Sequence, residues 1–369
     1  MASIDQRARF VHLGLDVHKD TIAAGILHPR TDEVIVERLF HDEASVRRFI
    51  SGFPDRGRLW ACYEAGPTGY GLARLLTAVG VRCDVVAPSL IPRAPGDRVK
   101  TDKRDCRRLA RLHRAGELVA IRVPTVAEEA VRDLSRTRLD MVVDLRRARQ
   151  RLGMFLLRHG QVWRGGSAWT LTHAQWLRAR RFDDPALTAT FDHYLATVQT
   201  REVALRAVED DLAVWCDTGP FVDAVHRLGA YRGITHLGGL LLASETFDWR
   251  RFPTAGRYMG AVGLVPSEYS SGASTRRGRI TKAGNHQVRT QLVESAWSYQ
   301  HRPAVGVTLG RRQQGCTPGT IARSWKAQQR LSGRFRALAA RKNSKSVVAA
   351  AVARELAGFV WAEMTAHDR

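Results

Sequence analysis

The stretch Phe10–Leu27, FVHLGLDVHKDTIAAGIL, decides how the first part of this chain folds. Two apolar runs, Phe10–Leu15 and Thr21–Leu27, stand on either side of a short polar turn. Apolar runs of this length that are separated by a turn are typical of paired antiparallel strands. The first run ends on an acidic residue, Asp16. We therefore predict a β-hairpin whose first strand carries an acid at its end.

The residues that follow repeat this pattern with helices between the strands. They predict, in order, a strand at Glu33–Phe40, a helix at Glu43–Phe53, a strand at Arg58–Tyr63, a helix at Gly69–Val79 and a strand at Val81–Ala87. The fourth strand also ends on an acid, Glu64. Three strands, a helix, a strand, a helix and a strand form the plan of an α/β ribonuclease-H-like domain.

Four acids are placed where a metal site would need them. Asp16 and Glu64 close two strands, and Asp102 and Asp105 in KTDKRDCRRLARL (100–112) share one helix face because they are three residues apart. Phosphodiester chemistry with two metal ions needs carboxylates that converge from separate elements, and Mg²⁺ prefers hard oxygen ligands. We predict a Mg²⁺ site at these acids, with Mn²⁺ as a substitute. The alternative is that Asp102 only caps the helix and Asp105 is solvated.

The charge of the chain points to a nucleic-acid partner. Lys and Arg number 58 against 36 Asp and Glu, which gives a net charge of +22 and a sequence pI near 10.9. Most of the excess is arginine, which binds phosphate through two parallel hydrogen bonds and stacks on bases. A GC-rich genome would explain arginine in place of lysine, but it would not explain the shortage of acids.

The rest of the chain reads as helical. Long periodic stretches at about 124–160 and 185–215 predict an antiparallel helical arm, and the chain after about 218 predicts a mostly α domain. We expect domains at 1–123, 124–217 and 218–369. Arg232–Glu245 resembles a helix–hairpin–helix element, although Thr235 stands where a glycine is expected.

The cysteines and the apolar runs constrain the compartment. The five cysteines are scattered and form no C-x-x-C pair, which argues against a disulfide framework and against structural zinc. We find no signal peptide and no apolar run long enough to span a membrane. We expect a bacterial cytoplasmic, nucleoid-associated protein with no membrane partner.

Long ordered motifs connect the chain to a known family. Besides Phe10–Leu27 and KTDKRDCRRLARL (100–112), they are YEAGPTGYGLARLL (63–76), GLVPSEYSSG (263–272), GRITKAGNHQVRTQLVESAW (278–297) and SWKAQQRLSGRFRALAARKN (324–343). With them the chain resembles the DEDD-type insertion-sequence transposases, a family related to the Piv and MooV DNA invertases. The resemblance implies a RuvC-like N-terminal domain, a helical coiled-coil linker and a C-terminal transposase domain with a catalytic serine.

The resemblance assigns the nucleophile to Ser271, immediately before a glycine. Basic residues near this serine and near the acids are expected to bind nucleic acid: Lys100, Arg276, Arg277, Arg279, Lys282 and Arg289. Two neighbouring hydroxyls, Ser270 and Tyr269, are alternative nucleophiles. The residues alone equally fit a Ser/Gly-rich loop that contacts phosphate without chemistry. Among the histidines, His12 is expected to lie on the strand face opposite Asp16 and to be structural.

The expected function is that of a recombinase that binds element ends and a target, cuts DNA and exchanges strands. The resemblance also implies a structured, element-encoded guide RNA, and exchange of four strands implies a dimer or tetramer. Two other functions fit the same residues. One is a metal-dependent nuclease of the Holliday-junction type, and the other is a non-catalytic nucleic-acid-binding protein.

Overall fold

A computed structural model describes residues 7–92, 102–271, 274–342 and 344–366 of the chain. Within these ranges the side chains of residues 89, 102, 103, 270, 271, 274, 275 and 277 are not described. The chain divides into two compact units, Met1–Pro124 and Thr125–Arg369.

The first unit is built on a mixed sheet with helices. Its strands are β1 (Val11–Val17), β2 (Thr21–Leu27), β3 (Val34–Phe40), β4 (Leu59–Glu64), β5 (Arg82–Val86) and β6 (Ala120–Ile121). Its helices are α1 (Glu43–Ser51), α2 (Gly71–Ala78) and α3 (Asp102–Ala115). The strand order is β3-β2-β1-β4-β5-β6. Strands β3, β2 and β1 pair antiparallel, β1, β4 and β5 pair parallel, and β6 closes the edge antiparallel to β5.

The order of strands and helices that the sequence predicts is confirmed in this unit. Strand β2 has the predicted bounds, and the other elements differ from the predictions by only a few residues at their ends. The prediction overlooks β6, because a strand of two residues is too short to show an alternating pattern. A core of side chains from both sheet and helices holds the unit together, among them Leu13, Ile26, Ile50, Tyr63 and Leu76.

The second unit begins with a helical hairpin, α4 (Val126–Arg158), α5 (Leu171–Arg178) and α6 (Pro185–Thr218). Thr125 and Glu128 cap α4 through two reciprocal side-chain to backbone hydrogen bonds. Asp184 caps α6, which has Pro185 in its first turn. The predicted pair of long helices is therefore present, and each helix begins where its capping residue dictates.

Ion pairs show that α4 and α6 run antiparallel. Arg138 Nη2 lies 2.7 Å from Glu209 Oε1, and Arg149 Nη2 lies 2.7 Å from Glu202 Oε1. As the residue number rises on one helix, its partner's number falls on the other. We call the segment 126–218 the helical hairpin.

The remainder of the second unit is mostly helical, as predicted. Its elements are α7 (Val222–Gly229), α8 (His236–Thr246), α9 (Ala255–Ala261), β7 (Pro266–Ser271), β8 (Ser274–Ile280), α10 (His286–Ala296), α11 (Val307–Gln313), α12 (Pro318–Ala339) and α13 (Lys345–Thr365). Its large apolar core includes Val225, Leu242, Leu292, Leu331 and Val352. Among the described residues, no helix is both long and apolar enough to cross a membrane.

The helix–hairpin–helix expected at Arg232–Glu245 has its turn at Gly233, which has a φ of +83°. A Cβ at this glycine would lie 2.3 Å from the carbonyl oxygen of Ser295, so only glycine fits here. Thr235 stands at the N-cap of α8 and accepts a hydrogen bond from the backbone N–H of Gly238. A threonine at this position, where a glycine was expected, therefore has a structural reason: its side chain caps α8. Because most of α8 is buried, the helix serves mainly as core.

Candidate active site

Asp16 and Glu64 lie at the ends of two adjacent parallel strands. In the register of β1 and β4, Leu15 is opposite Tyr63, which makes Asp16 and Glu64 the next pair of neighbours. Cys62, two residues before Glu64, faces α3, since its Sγ lies 3.7 Å from the carbonyl oxygen of Leu109. Side chains alternate along a strand, so Glu64 is on the α3 side of the sheet as well. The Glu64 side chain is exposed.

Two glycines allow α3 to lie directly on the sheet. Gly14 of β1 and Gly25 of β2 are register partners. A Cβ at Gly14 would lie 2.3 Å from the carbonyl oxygen of Cys106 and 2.4 Å from the backbone nitrogen of Ala110. A Cβ at Gly25 would lie 2.7 Å from the same oxygen of Cys106. The helix backbone therefore occupies the space that two side chains would otherwise fill.

This packing directs Asp16 toward the first turn of α3. His12, at the start of β1, has its Nδ1 3.0 Å from Nδ1 of His113 near the end of α3. Gly14 contacts the middle of the helix. The strand and the helix thus run in opposite directions, and Asp16, on the same face as Gly14, meets the beginning of α3. Burial raises the pKa of the Cys106 thiol, and the negative charge of Asp16 raises it further, which is consistent with this placement.

Asp102 and Asp105 lie in that first turn. Asp102 is the first residue of α3, and its side chain is outside the described residues. Asp105 is half-buried, and its Oδ2 is buried without a hydrogen-bond partner among the described residues. A carboxylate oxygen withdrawn from water and left unpaired costs free energy, which a ligand would recover. The packing thus directs Asp16 toward the start of α3, and Glu64 follows the register pair next to Asp16 on the same side of the sheet.

The donor set fits a hard divalent cation. Carboxylate oxygens are the ligands that Mg²⁺ and Mn²⁺ prefer, and the buried Oδ2 of Asp105 offers one such oxygen. Among the described side chains, which leave out Asp102, no cluster of three or more His, Cys, Asp or Glu is already arranged around a point.

His18 is an additional residue of this region. Its Nε2 lies 3.3 Å from Asp16 Oδ2, and its backbone carbonyl accepts a hydrogen bond from Nδ1 of His41. No role is predicted for it from the sequence, because the turn HKD after β1 does not reveal which way the ring points. His18 is 48% exposed, so it is accessible to solvent beside the first acid.

An arginine stripe runs along α3 on the surface. Arg104, Arg107, Arg108 and Arg111 follow the spacing i, i+3, i+4 and i+7, and they line a cavity of about 680 Å³. Residues at this spacing share one face of a helix. The prediction of nucleic-acid-binding residues overlooks these arginines, although their spacing in KRDCRRLAR (103–111) shows the stripe. These arginines lie on the same helix as Asp102 and Asp105, where phosphate oxygens would be expected.

A buried polar chain supports the sheet behind the acids. His12 Nε2 donates to the carbonyl oxygen of Arg7, and Nδ1 of His12 accepts from Nδ1 of His113. His113 Nε2 and Trp60 Nε1 both lie 3.1 Å from Asp84 Oδ2. Burial lowers the pKa of His12 to about 4, which keeps its ring neutral and able to accept from His113. His12 is therefore structural, but it lies on the same face of β1 as Gly14 and Asp16, so its predicted place on the opposite face was wrong.

Gly14→Ala tests whether the close approach of α3 is essential. The added methyl would overlap main-chain atoms of Cys106 and Ala110, which cannot rotate away. We expect a loss of about 1–3 kcal/mol in the free energy of unfolding, as for overpacked cores. Urea denaturation measures it. Gly71→Ala is the matched control, since nothing lies within 4 Å of its Cβ, and we expect no loss there. A Gly14→Ala protein as stable as Gly71→Ala would show that the helix does not rest on this glycine.

The predicted nucleophile lies in a β-hairpin of the second unit. Strands β7 and β8 pair antiparallel, with Ser270 opposite Thr275 and Ser271 opposite Ser274. The alternative interpretation of this region as a Ser/Gly-rich loop does not hold for residues 266–271 and 274–280, which are strands. Ser271 is the last residue of β7, and its side chain is outside the described residues. Tyr269 is 76% exposed.

The basic residues predicted around Ser271 differ in their environment. Arg276 and Arg279 on β8 are exposed, and so is Lys282 just after the strand. The side chain of Arg277 and the whole of Lys100 lie outside the described residues. Arg289 is buried, and its Nη1 donates to the carbonyl oxygens of Val262 and Ala283. A guanidinium engaged in this way holds the loop together, so we give Arg289 a structural role in place of the predicted phosphate contact.

The base of the β7–β8 hairpin is fixed by close backbone contacts. Gly263 and Gly284 have φ angles of 70° and 74°. A Cβ at either glycine would lie within about 2 Å of a main-chain oxygen, that of Ala283 or Ala261. Asn285 also donates to Glu245, whose carboxylate binds Arg136 at 2.6 and 2.9 Å. The hairpin therefore projects from a rigid support.

Comparison with known proteins identifies the class of the chain as a transposase. Residues 13–160 match the DEDD transposase family named for IS110, and residues 225–306 match the transposase IS116/IS110/IS902 family. The two matches cover the acids of the first unit and the β7–β8 hairpin of the second. Transposases are DNA strand-transfer enzymes, and transposases of the DEDD type typically use a divalent metal.

Related proteins match over nearly the whole length. The chain is 43% identical over 364 residues to a putative transposase, y4qE, of Sinorhizobium fredii. The aligned residues cover 98% of this chain and 90% of the relative. It is 33% identical over 343 residues to the transposase for insertion sequence element IS1533 of Leptospira borgpetersenii, covering 89% of this chain and 97% of the relative. The chain therefore belongs to the IS116/IS110/IS902 family of transposases.

Proposed function

We propose that this transposase cuts and rejoins DNA with two sets of groups, a divalent-metal site at Asp16, Glu64, Asp102 and Asp105 and a serine nucleophile at Ser271. The observation that carries the proposal is the contact of α3 with Gly14 and Gly25, which directs Asp16 toward the helix turn that holds Asp105. The Oδ2 of Asp105 supports it, because this buried oxygen has no hydrogen-bond partner among the described residues and a structural carboxylate would have one.

The architecture of the first unit supports a ribonuclease-H-like, RuvC-like assignment. The order β3-β2-β1-β4-β5 combines three antiparallel strands with two parallel ones, and its acids stand at adjacent strand ends. A helix packed across the first strands then adds the remaining acids. Carboxylates brought together from separate elements suit a displacement at phosphorus, because the ion they hold would neutralise charge on the reacting oxygens.

In the proposed reaction, Ser271 Oγ attacks a phosphate of the DNA backbone. A bond forms between Oγ and phosphorus as the serine hydroxyl loses its proton. The bond from phosphorus to one deoxyribose oxygen breaks, and that oxygen takes up a proton and leaves as a hydroxyl. The hydroxyl of a second strand then attacks the phosphoserine and releases the serine. One phosphodiester bond is lost and one is gained, so the exchange needs no external energy source.

Positive charge around both sets of groups supports DNA binding. Arg276 and Arg279 project from β8, the strand paired with that of Ser271, and are free of described ion-pair partners. The arginine stripe lies on α3, the helix that begins at Asp102. Arginines bind phosphate oxygens with two parallel hydrogen bonds and stabilise the charge that develops during displacement. The net charge of +22 extends this attraction over the whole molecule.

Trapping of a covalent intermediate tests the serine. With end-labelled DNA from the flanks of the element, we expect the parent protein to form a denaturation-resistant adduct that Ser271→Ala abolishes. Ser270→Ala and Tyr269→Phe are the matched controls, since both remove a neighbouring hydroxyl, and both are expected to retain the adduct. Loss of the adduct in a control instead of in Ser271→Ala would move the nucleophile to that residue.

The same assay separates the two rival functions. An active protein that cleaves DNA with divalent metal but never forms an adduct would be a structure-specific nuclease, with Ser271 only a phosphate contact. A protein that binds DNA and neither cleaves nor forms an adduct would be a non-catalytic binding protein. Either result would overturn the serine mechanism.

We further propose that a structured, element-encoded RNA selects the donor and target sites, and that the protein acts as a dimer or tetramer. The positive charge supports binding of such an RNA, and the exchange of four strands supports several copies of the active site. Sequencing of RNA that copurifies with the protein, together with its mass in solution, tests both proposals. Purification free of any RNA encoded beside the gene would contradict the first.

A further inference from the structure

The helical hairpin contains an aromatic cavity that no catalytic role explains. It has a volume of about 770 Å³, within the range of ligand sites. Three tryptophans and a histidine belong to its lining: Trp163, Trp169, Trp176 and His173. The ring of His173 stacks on Trp176 at 5.5 Å, with 22° between the planes, and Trp163 lies 5.6 Å from Trp176. We call this site the tryptophan cavity.

The loop that presents these rings is held in a specific shape. Trp169 has a φ of 65°, a left-handed conformation that a tryptophan rarely adopts. Its backbone N–H donates to Nδ1 of His173 at 3.1 Å, and Arg149 stacks over its ring at 4.8 Å. Gly165 allows the Trp163 ring to approach, since a Cβ there would lie 2.3 Å from that ring. Strain held by several contacts is characteristic of a functional site.

The charge around the cavity is strongly positive. The segment 145–182 contains nine arginines and no acidic residue, whereas the remaining parts of 126–218 contain thirteen acids and five arginines. Every residue of this hairpin is described, and the cavity lining includes Arg146 and Arg149 but no carboxylate. The equivalent segment 145–182 of a second copy would bring the same positive charge against itself, so charge complementarity at this segment favours a polyanion.

We propose that the tryptophan cavity binds an unpaired nucleobase of a single-stranded segment of nucleic acid. A base takes the place of the Arg180 guanidinium, which lies 4.6 Å from the centre of the Trp176 ring, and exposed arginines such as Arg146 bind the phosphates on either side of it. Aromatic stacking combined with a positive surface is how proteins hold single strands, whereas the bases of a duplex are paired and inaccessible. Ribose and deoxyribose strands share this chemistry. The site shares no residue with the proposed catalytic groups, and binding there does not depend on cleavage.

Binding of fluorescein-labelled oligouridine, oligothymidine and a duplex, measured by anisotropy in EDTA, tests the proposal with the full-length protein. We expect Trp176→Ala to weaken single-strand binding by about 5- to 100-fold, the range for loss of one stacking contact, and to leave duplex binding unchanged. Trp176→Phe, which keeps a ring, should restore most of the affinity. The stronger of the two single strands identifies the natural sugar.

Two adjacent arginines provide the matched charge control. Arg146 lines the cavity, whereas Arg147 lies 3.7 Å from Asp144 and is outside the lining. Each substitution by glutamine removes one exposed positive charge, so Arg146→Gln should weaken single-strand binding more than Arg147→Gln. Equal losses in the two variants, or an equal loss of duplex and single-strand binding in Trp176→Ala, would overturn the proposal.

Crosslinking covers the case in which a substitution unfolds the loop. Irradiation of the unmodified protein with 5-iodouridine oligonucleotide should attach the strand to peptides that contain Trp163 or Trp176, as mass spectrometry would show. Attachment only to peptides outside 126–218 would contradict the site. Sedimentation tests the alternative that a second copy of the chain occupies the cavity. If Trp176→Ala converts a dimer into a monomer and keeps its affinity for single strands, the cavity is an interface between copies.

Discussion

Asp16→Asn is expected to reduce excision of the element by about a thousand-fold, the effect of losing several kcal/mol of metal-dependent stabilisation of the transition state. Asp105→Asn should have a similar effect, since both acids are directed to the same turn of α3. Quantitative PCR across the rejoined donor DNA, in cells that carry the gene with its flanking DNA, measures the product. The reason is chemical: an amide keeps the shape of the side chain but loses the charge that binds a cation.

Asp20→Asn is the matched control for this prediction. Asp20 is exposed in the turn between β1 and β2, four positions after Asp16, and the substitution removes the same charge. We expect it to retain excision. Equal loss in Asp20→Asn and Asp16→Asn would show a general effect of charge, and full excision by Asp16→Asn would remove this acid from the site.

Stability distinguishes a catalytic from a structural role for Asp105. Its Oδ2 has no hydrogen-bond partner among the described residues, so the carboxylate contributes little to the folded state without a ligand. We expect Asp105→Asn to melt at or above the temperature of the parent protein while excision is lost. A lower melting temperature would mean that the carboxylate supports the fold and that the loss of excision is indirect.

The second large effect is expected at Glu363, a carboxylate with no exposed surface in the core of the second unit. Its Oε1 accepts from Thr320 at 2.8 Å and from Arg227 at 3.0 Å, and its Oε2 accepts from Arg323 at 2.6 Å and from Tyr231 at 2.9 Å. Glu363→Ala removes the partner of two guanidinium groups, and removal of one side of a buried ion pair costs about 3–5 kcal/mol. Urea denaturation measures the loss.

Glu355→Ala is the control on the same helix. Glu355 lies two turns before Glu363 and binds Arg330 and Arg334 at 2.9 and 3.1 Å, but these arginines are 65% and 49% exposed. Surface ion pairs contribute about 0–1 kcal/mol, so this variant should remain close to the parent. Similar losses in the two variants would mean that burial does not govern the effect.

The loss of folding stability at low pH should depend on Glu363, because folding shifts the pKa of this carboxyl. Burial alone would raise this pKa, but hydrogen bonds from Arg323, Thr320 and Arg227 outweigh burial and hold it below its ordinary value. A carboxyl whose pKa is lowered by folding stabilises the protein above its unfolded pKa, and this stabilisation is lost as the pH falls through the folded pKa. The parent should therefore lose more stability on acidification than Glu363→Ala. Parallel pH profiles would contradict this assignment.

Much of the first unit was predictable because its signals are local. Apolar runs and turn residues locate strands such as β2. The acids at the ends of β1 and β4 can be identified directly in the sequence, because each follows an apolar run. The β7–β8 hairpin was missed because its strands, PSEYSS and STRRGRI, are polar and show no buried face. The burial of Arg289 was not predicted, because the sequence does not show which guanidinium donates to carbonyl oxygens in place of solvent.

The sequence by itself determined the order of elements, the basic character and the acids at Asp16, Glu64, Asp102 and Asp105, because periodicity, charge and spacing along one element are properties of nearby residues. Tertiary structure alone decided that α3 lies on Gly14 and Gly25, that a buried oxygen of Asp105 has no partner among the described residues, and that three tryptophans line one cavity. These features depend on backbone atoms far apart in the chain, and only the packing of helix on sheet or helix on helix brings them together.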